Sequence, residues 1–238
     1  VGTPLGVIGG RARTLEKKAA APQEVAKNAG IIAEQTARIT RIIQQLLDFS
    51  RQKPSVREPV DLAAVLRSTL DFLDHQLAAA NIEVHLLAFA TDDNEDTPRE
   101  PVVLADADEA QQVGINLMMN AIQSMPDGGT IELGLCGLLR RKPGLDHAPP
   151  SRYVMLTVAD QGPGIAPEDR ERIFEPFYST KHARGGTGLG LAVSLGIVRD
   201  HDGWIDIDEA PGGGTVFRVY LPAPEIEPLS LSHVDAHL

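Results

Sequence analysis

Four clusters in this sequence combine residue types that could hold and orient a phosphate-bearing ligand. Asn116-Leu-Met-Met-Asn120 places two side-chain amides four residues apart, on one face of a helix. An amide oxygen is a hard ligand that can complete the shell of a magnesium ion already held by phosphates and water. Asp160-Gln-Gly-Pro-Gly-Ile165 follows an apolar run, so its carboxylate stands at a strand end where it could accept a hydrogen bond from an exocyclic amine. Gly162 and Gly164 let the backbone turn tightly and lie against a flat ring. Ile173-Phe-Glu-Pro-Phe-Tyr-Ser-Thr-Lys181 concentrates three aromatics in five positions, the pattern of a packed anchor for a mobile segment with a cation at its end. Gly185-Gly-Thr-Gly-Leu-Gly190 leads into an apolar helical run, and a glycine-rich entry to a helix presents unpaired amides to anions. Each cluster alone has an ordinary reading: polar helix surface, an Asp-x-Gly turn, core aromatics, a flexible loop.

The elements that must position these clusters are legible from periodicity. Residues 1 to about 52 read as two helices, with Leu5, Ile8, Ala12, Leu15 and Ala19 on one and Ile32, Gln35, Ile39, Ile42, Leu46 and Phe49 on the other at heptad-like spacing. Pro22 breaks them, since proline is tolerated only near a helix start. Such a hairpin cannot bury both apolar stripes alone, and pairing of two copies into a four-helix bundle is expected. Packing onto the chain's own C-terminal part is the alternative. Residues 53–60 read as a proline-bearing linker, 61–223 as a mixed α/β domain, and 224–238 as a fraying, acid-rich tail. Asp61 is the expected N-cap of a helix, and a second helix from Asp108 to Met125 ends at Pro126-Asp-Gly-Gly. Strands are expected at 82–87, 102–105, 130–135, 153–159, 204–209 and 215–221.

Composition bounds the rest. Acidic residues number 33 against 22 basic ones, a net charge of −11 that argues against a general nucleic-acid surface. The single cysteine, Cys136, excludes an intrachain disulfide and a thiolate metal cluster, and a reducing, cytoplasmic setting is expected. No apolar run reaches the roughly 18 residues of a membrane helix, so no membrane contact by this segment is expected.

Taken in order, Asn-x-x-x-Asn, Asp-x-Gly-x-Gly, the aromatic anchor and Gly-x-Gly-x-Gly resemble the N, G1, F and G2 boxes of the histidine kinase ATP-binding domain. That domain belongs to the wider group that includes gyrase, Hsp90 and MutL. The resemblance covers about residues 100–222 and implies a two-layer α/β sandwich binding ATP and Mg²⁺ under a lid at about 179–187. By position, Asn120 resembles the Mg²⁺ ligand and Asn116 its neighbour in the phosphate site, where it also takes a catalytic part. Asp160 would meet the adenine amine, with Gly162, Gly164 and Ile165 lining the base site. Gly186, Thr187, Gly188, Leu189 and Gly190 would lie under the phosphates, with Lys181 reaching toward them. Thr215 resembles the strand threonine that holds adenine through water. Asn-Ala-Ile-Gln-Ser-Met-Pro-Asp-Gly-Gly and the short lid are most similar to nitrogen-regulator kinases.

Val1-Gly-Thr-Pro-Leu5 is similar to the end of the H box, His-Glu-x-x-Thr/Asn-Pro-Leu. Aligned so, the acceptor histidine would fall two positions before Val1, and Thr3 where the family orients water for dephosphorylating its partner. None of the seven histidines, at 75, 85, 147, 182, 201, 233 and 237, lies in the helical hairpin. The resemblance implies a homodimeric protein histidine kinase of a two-component system, passing phosphate from ATP to histidine and on to an aspartate of a response-regulator receiver domain. Two other readings stay open: an ATPase of the gyrase or Hsp90 kind, whose usual glutamate base is here Asn116, and a nucleotide-responsive dimeric scaffold without phosphotransfer.

Overall fold

The computed structural model describes residues 2–17, 22–50, 56–91, 97, 100–145, 147–179 and 187–224. Lys181 and Gly186, most of the expected lid, and the tail beyond residue 224 lie outside the described residues, as does the side chain of Thr3. The chain divides into two compact units, one formed by Val1–Pro54 with Glu168–Val193 and the other by Ser55–Pro167 with Ser194–Leu238.

In the first unit, helices α1 (Gly2–Lys17) and α2 (Pro22–Ser50) pack along each other as a hairpin. Pro22 opens α2, where its missing N–H costs no intrahelical bond. Asn28 is buried inside the hairpin; its amide accepts from Arg11 at 3.3 Å and donates back to the Glu24 carbonyl at 2.7 Å. Leu5, the first residue of the expected apolar stripe, is 54% exposed in the single chain. Among the described residues no helix is long and apolar enough to cross a membrane.

The second unit is a sheet with helices on one face. Strand β1 (Glu58–Asp61) lies at the end of the expected linker and pairs antiparallel with β4 (Val102–Ala105). Asp61 ends β1 and caps helix α3 (Leu62–Ala79), accepting from the Ala63 amide at 2.8 Å. The main sheet runs in the order β2 (Ile82–Leu86), β5 (Gly129–Arg140), β6 (Ser151–Asp160), β8 (Thr215–Pro222), β7 (Trp204–Glu209), with the short β3 (Ala90–Thr91) beside the far end of β5. Among the described residues only the β2 and β3 pairings with β5 are parallel. Strands β5 and β6 are longer than periodicity predicts, because their hairpin register continues from Ile131↔Asp160 to Arg140↔Ser151.

Alternation along β6 sends Val154, Leu156 and Val158 to the helix-covered face, in register with Leu221, Val219 and Phe217 of β8, and all six are buried. Helix α4 (Ala107–Ser124) adds the buried Val113, Leu117, Met118 and Ala121. Gly114 lets α3 approach closely, since a Cβ there would lie 3.3 Å from the Thr69 hydroxyl. On the opposite face Trp204 stacks on Tyr220, centroids 4.3 Å apart, and meets Tyr153 edge-on at 4.7 Å, with Leu138 and Met155 around them.

Candidate functional site

Helix α4 carries the two amides expected to act together. Asp106 caps it, its carboxylate accepting from the amides of Asp108 and Glu109 at 3.0 and 3.2 Å. Asn116 and Asn120 are both half-buried on α4, and the Asn116 side chain donates to the Ser194 hydroxyl at 3.2 Å. Ser194 is fully buried on helix α5 (Gly190–Asp200), so it fixes which way the Asn116 amide points.

Beyond Asn120 the same helical face reaches Ser124, which periodicity alone could have singled out at the second step of four. Its hydroxyl lies 3.3 Å from Oδ1 of Asp160 and 2.7 Å from the Ala121 carbonyl. Asp160 is buried at the end of β6, and Oδ1 also accepts the Gly162 amide at 2.8 Å. The need for glycine at 162 is steric: a Cβ there would meet the Ser124 hydroxyl at 2.6 Å and Oδ1 of Asp160 at 2.8 Å.

The turn after β6 rests on a second glycine run. Gly214 has φ +107°, and a Cβ on it would lie 1.9 Å from the Asp160 carbonyl oxygen. A Cβ on Gly164, at φ +78°, would come 3.3 Å from the Gly214 carbonyl. Asp160, Gly162, Gly164 and the start of β8, where Thr215 is buried, therefore form one tightly packed wall, with Ile165 half-buried beside it. Gly214 carries no local signal in the sequence, because its role rests on a backbone approach between distant segments.

Residues 187–190 are held in the other unit by the aromatic segment, but differently from expectation. Phe177 is 55% exposed and so is not the packed anchor that its type predicts. Its backbone, at φ +68°, donates to the Gly188 carbonyl at 2.9 Å. Gly188 has φ +69°, and a Cβ on it would lie 2.5 Å from the Phe177 carbonyl carbon, so only glycine fits. Tyr178 is the anchored aromatic: its hydroxyl donates to Asp169 at 2.5 Å and the Arg172 guanidinium stands 4.4 Å over its ring. The bond to Asp169, with burial second, raises the Tyr178 pKa. Leu189 is buried, its amide 3.4 Å from the Thr187 hydroxyl, and Gly190 begins α5.

A buried carboxylate beside an amide and a hydroxyl, glycines that let the backbone around it pack closely, and oriented side-chain amides on the same helical stripe suit an adenine nucleotide. Residues 105–225 match the family described as histidine kinase-, DNA gyrase B- and HSP90-like ATPase. The chain belongs to that ATPase family. Residues 1–55 match the His Kinase A (phospho-acceptor) domain, and this pairing in this order is that of a sensor histidine kinase. The chain is 36% identical over 199 residues to the sensor kinase CckA of Brucella abortus, an alignment covering 80% of this chain and 20% of that protein. It is 35% identical over 196 residues to the sensory histidine kinase/phosphatase NtrB of Rhodobacter capsulatus, covering 81% of this chain and 51% of that one. Among solved structures, histidine kinase ThkA in complex with the response regulator protein TrrA matches with TM-score 0.69 and 26% identity, over 93% of this chain and 58% of ThkA. The chain thus spans about half or less of the curated relatives it matches. Membership in the ATPase family carries ATP binding with it, and the helical hairpin followed by an α/β sandwich is the fold of histidine kinase cores.

Proposed function

We propose that this chain is the dimerisation and ATP-binding core of a protein histidine kinase in a two-component system. It would pass phosphate from ATP to a histidine and then to an aspartate of a response-regulator receiver domain. The observation that carries the reading is the wall of Ser124, Asp160, Gly162 and Gly214, joined through Ser124 to the helical stripe that bears Asn116 and Asn120. It pairs an acceptor for an exocyclic amine with ligands suited to a phosphate-bound cation. The similarity to NtrB and to ThkA, which was solved with its response regulator, supports a receiver-domain partner and a nitrogen-regulator-like subfamily.

In this reading Asp160 accepts from the adenine amine while Gly162, Gly164, Ile165 and Thr215 line the base site. Asn120 holds Mg²⁺, and Asn116, kept in one orientation by Ser194, faces the phosphates. The donor set fits such an ion. Among the described residues no three His, Cys, Asp or Glu side chains could hold a metal together, so the cation would depend on phosphate oxygens and an amide carbonyl. Magnesium, when bound, would neutralise phosphate charge. Gly186, Thr187, Gly188, Leu189 and Gly190 would present amides to the phosphates ahead of α5, and Lys181 would add a cation. The exposed Leu5 and the half-buried Ile8, Ala12 and Leu15 of the hairpin would be covered by a second copy. Thr3 would orient water for dephosphorylation of the regulator, the phosphatase activity of this reading.

The test is transfer. The intact protein carrying these residues, given Mg-ATP labelled at the γ-phosphate, should acquire acid-labile phosphate that passes to a receiver aspartate. Label recovered only as free phosphate, at sustained turnover, would favour an ATPase of the gyrase kind.

A further inference from the structure

Asn116, Asn120 and Ser124 recur every four residues along α4, so three polar side chains form one stripe beside the buried face of the helix. One end of the stripe is fixed by Ser194 and the other by Asp160. Ser124 is the last residue of α4 and is half-buried. Two acceptors flank its hydroxyl, the Ala121 carbonyl at 2.7 Å and Oδ1 of Asp160 at 3.3 Å. The Gly162 amide donates to the same carboxylate oxygen at 2.8 Å, and glycine is required there because Ser124 occupies the space a Cβ would need. Ser124, whose single proton is shared between the Ala121 carbonyl and Oδ1, and Gly162 therefore flank one oxygen of the carboxylate from two sides.

We infer that Ser124 determines base specificity, by holding the Asp160 carboxylate so that it selects a purine bearing an exocyclic amine over one bearing a carbonyl at the same position. The inference rests on the adenine-site reading above and adds to it the residue that enforces the choice. The chemistry is one of paired and unpaired groups. An adenine amine donates to a carboxylate, whereas the hypoxanthine carbonyl opposes it with a second acceptor, and a buried polar group left without its partner is costly. The carboxylate is an acceptor in every orientation, so Ser124 and Gly162 act by fixing how it faces the amine, which strengthens the matched pair alone. Ser124 acts through Asp160 and is a positioning residue.

The experiment compares ADP with IDP by calorimetry, in the whole chain and in Ser124→Ala and Ser124→Cys. The wild-type chain should prefer ADP. Ser124→Ala should weaken ADP about tenfold, the scale of one hydrogen bond to a charged group, and leave IDP within about twofold. Ser124→Cys, of similar shape but with a weak donor, should fall between them. A role limited to packing would weaken both nucleotides alike. An unchanged ADP-to-IDP ratio in Ser124→Ala, with ADP binding intact, would overturn the inference while leaving the adenine site standing. A wild-type chain that binds IDP as tightly as ADP would overturn the adenine reading itself, and this inference with it.

Discussion

The Asp106 amide donates to Nε2 of His201 at 2.9 Å, joining the start of α4 to the residue that follows α5. The other ring nitrogen, Nδ1, lies 2.8 Å from the Ile197 carbonyl, so the pairing requires the tautomer with hydrogen on Nδ1. His201 is 1% exposed, and Oε2 of Glu109 lies 3.6 Å from Nε2. Together with Asn116–Ser194, this bond fixes α4 against α5 at two heights.

Replacing His201 with Ala should leave the Asp106 amide without its partner and open a cavity in the core. A loss of about 2–3 kcal/mol is expected in denaturant unfolding of the α/β domain. A loss below about 0.5 kcal/mol would show that the ring is not a structural tie.

Gly214→Ala should disrupt the turn that carries Asp160, because the added Cβ would lie 1.9 Å from the Asp160 carbonyl oxygen and φ is +107°. A destabilisation of about 2 kcal/mol or more is expected, with weakened ADP binding. Gly196→Ala in α5 is the contrasting case, with nothing within 4 Å of the new Cβ. It should stabilise the domain by about 0.5–1 kcal/mol. Thermal unfolding of the two variants checks the pair, and movement in the same direction would refute the steric account.

All three tyrosines of the chain have raised pKa values. Burial is the main cause at Tyr153 and Tyr220, and the hydrogen bond to Asp169 at Tyr178. A phenol whose folded pKa exceeds its unfolded value contributes stability that is complete below about pH 10 and is lost as pH rises through the folded pKa. Phenolate absorbance in the folded chain should therefore rise above pH 10, with stability falling over the same interval. Absorbance rising at the ordinary tyrosine pH while the chain stays folded would contradict the packing described.

Arg57 bonds Asp202 at 2.5 Å and also the Asp200 carbonyl, which holds the Asp202 carboxyl below its ordinary pKa. The lowered value makes the stabilisation present above about pH 4 and lost as pH falls through the folded pKa. Both side chains are substantially exposed, so Asp202→Asn should cost only a few tenths of a kcal/mol at pH 7. That cost should vanish in acid. A cost that stays constant down to pH 3 would show that the pair contributes nothing electrostatic.

The sequence exposed what depends on local pattern. Helical periodicity located α3 and α4, and Asp61 is the cap its position predicts, whereas Asp106, the cap of α4, lies two residues before the expected start at Asp108. Alternation located six of the strands but not β1, which falls in the stretch read as a linker, or the two-residue β3, and the hairpin extends both β5 and β6 beyond the expected spans. The structure brings Asp160, Gly162, Gly164 and Thr215 together. What stayed hidden depends on approach between distant segments: Ser194 against Asn116, Gly214 against Asp160 and His201 against Asp106. Phe177 misled because aromatic type predicts burial, whereas the structure uses its backbone in a left-handed turn against Gly188.

The central claim is an adenine-nucleotide site organised around Asp160, and calorimetry of ATP binding with and without Mg²⁺ tests it most directly. The account predicts binding by the wild-type chain that Mg²⁺ strengthens and that Asp160→Asn abolishes. Absent binding by the wild-type chain, or equal binding by Asp160→Asn, would contradict it.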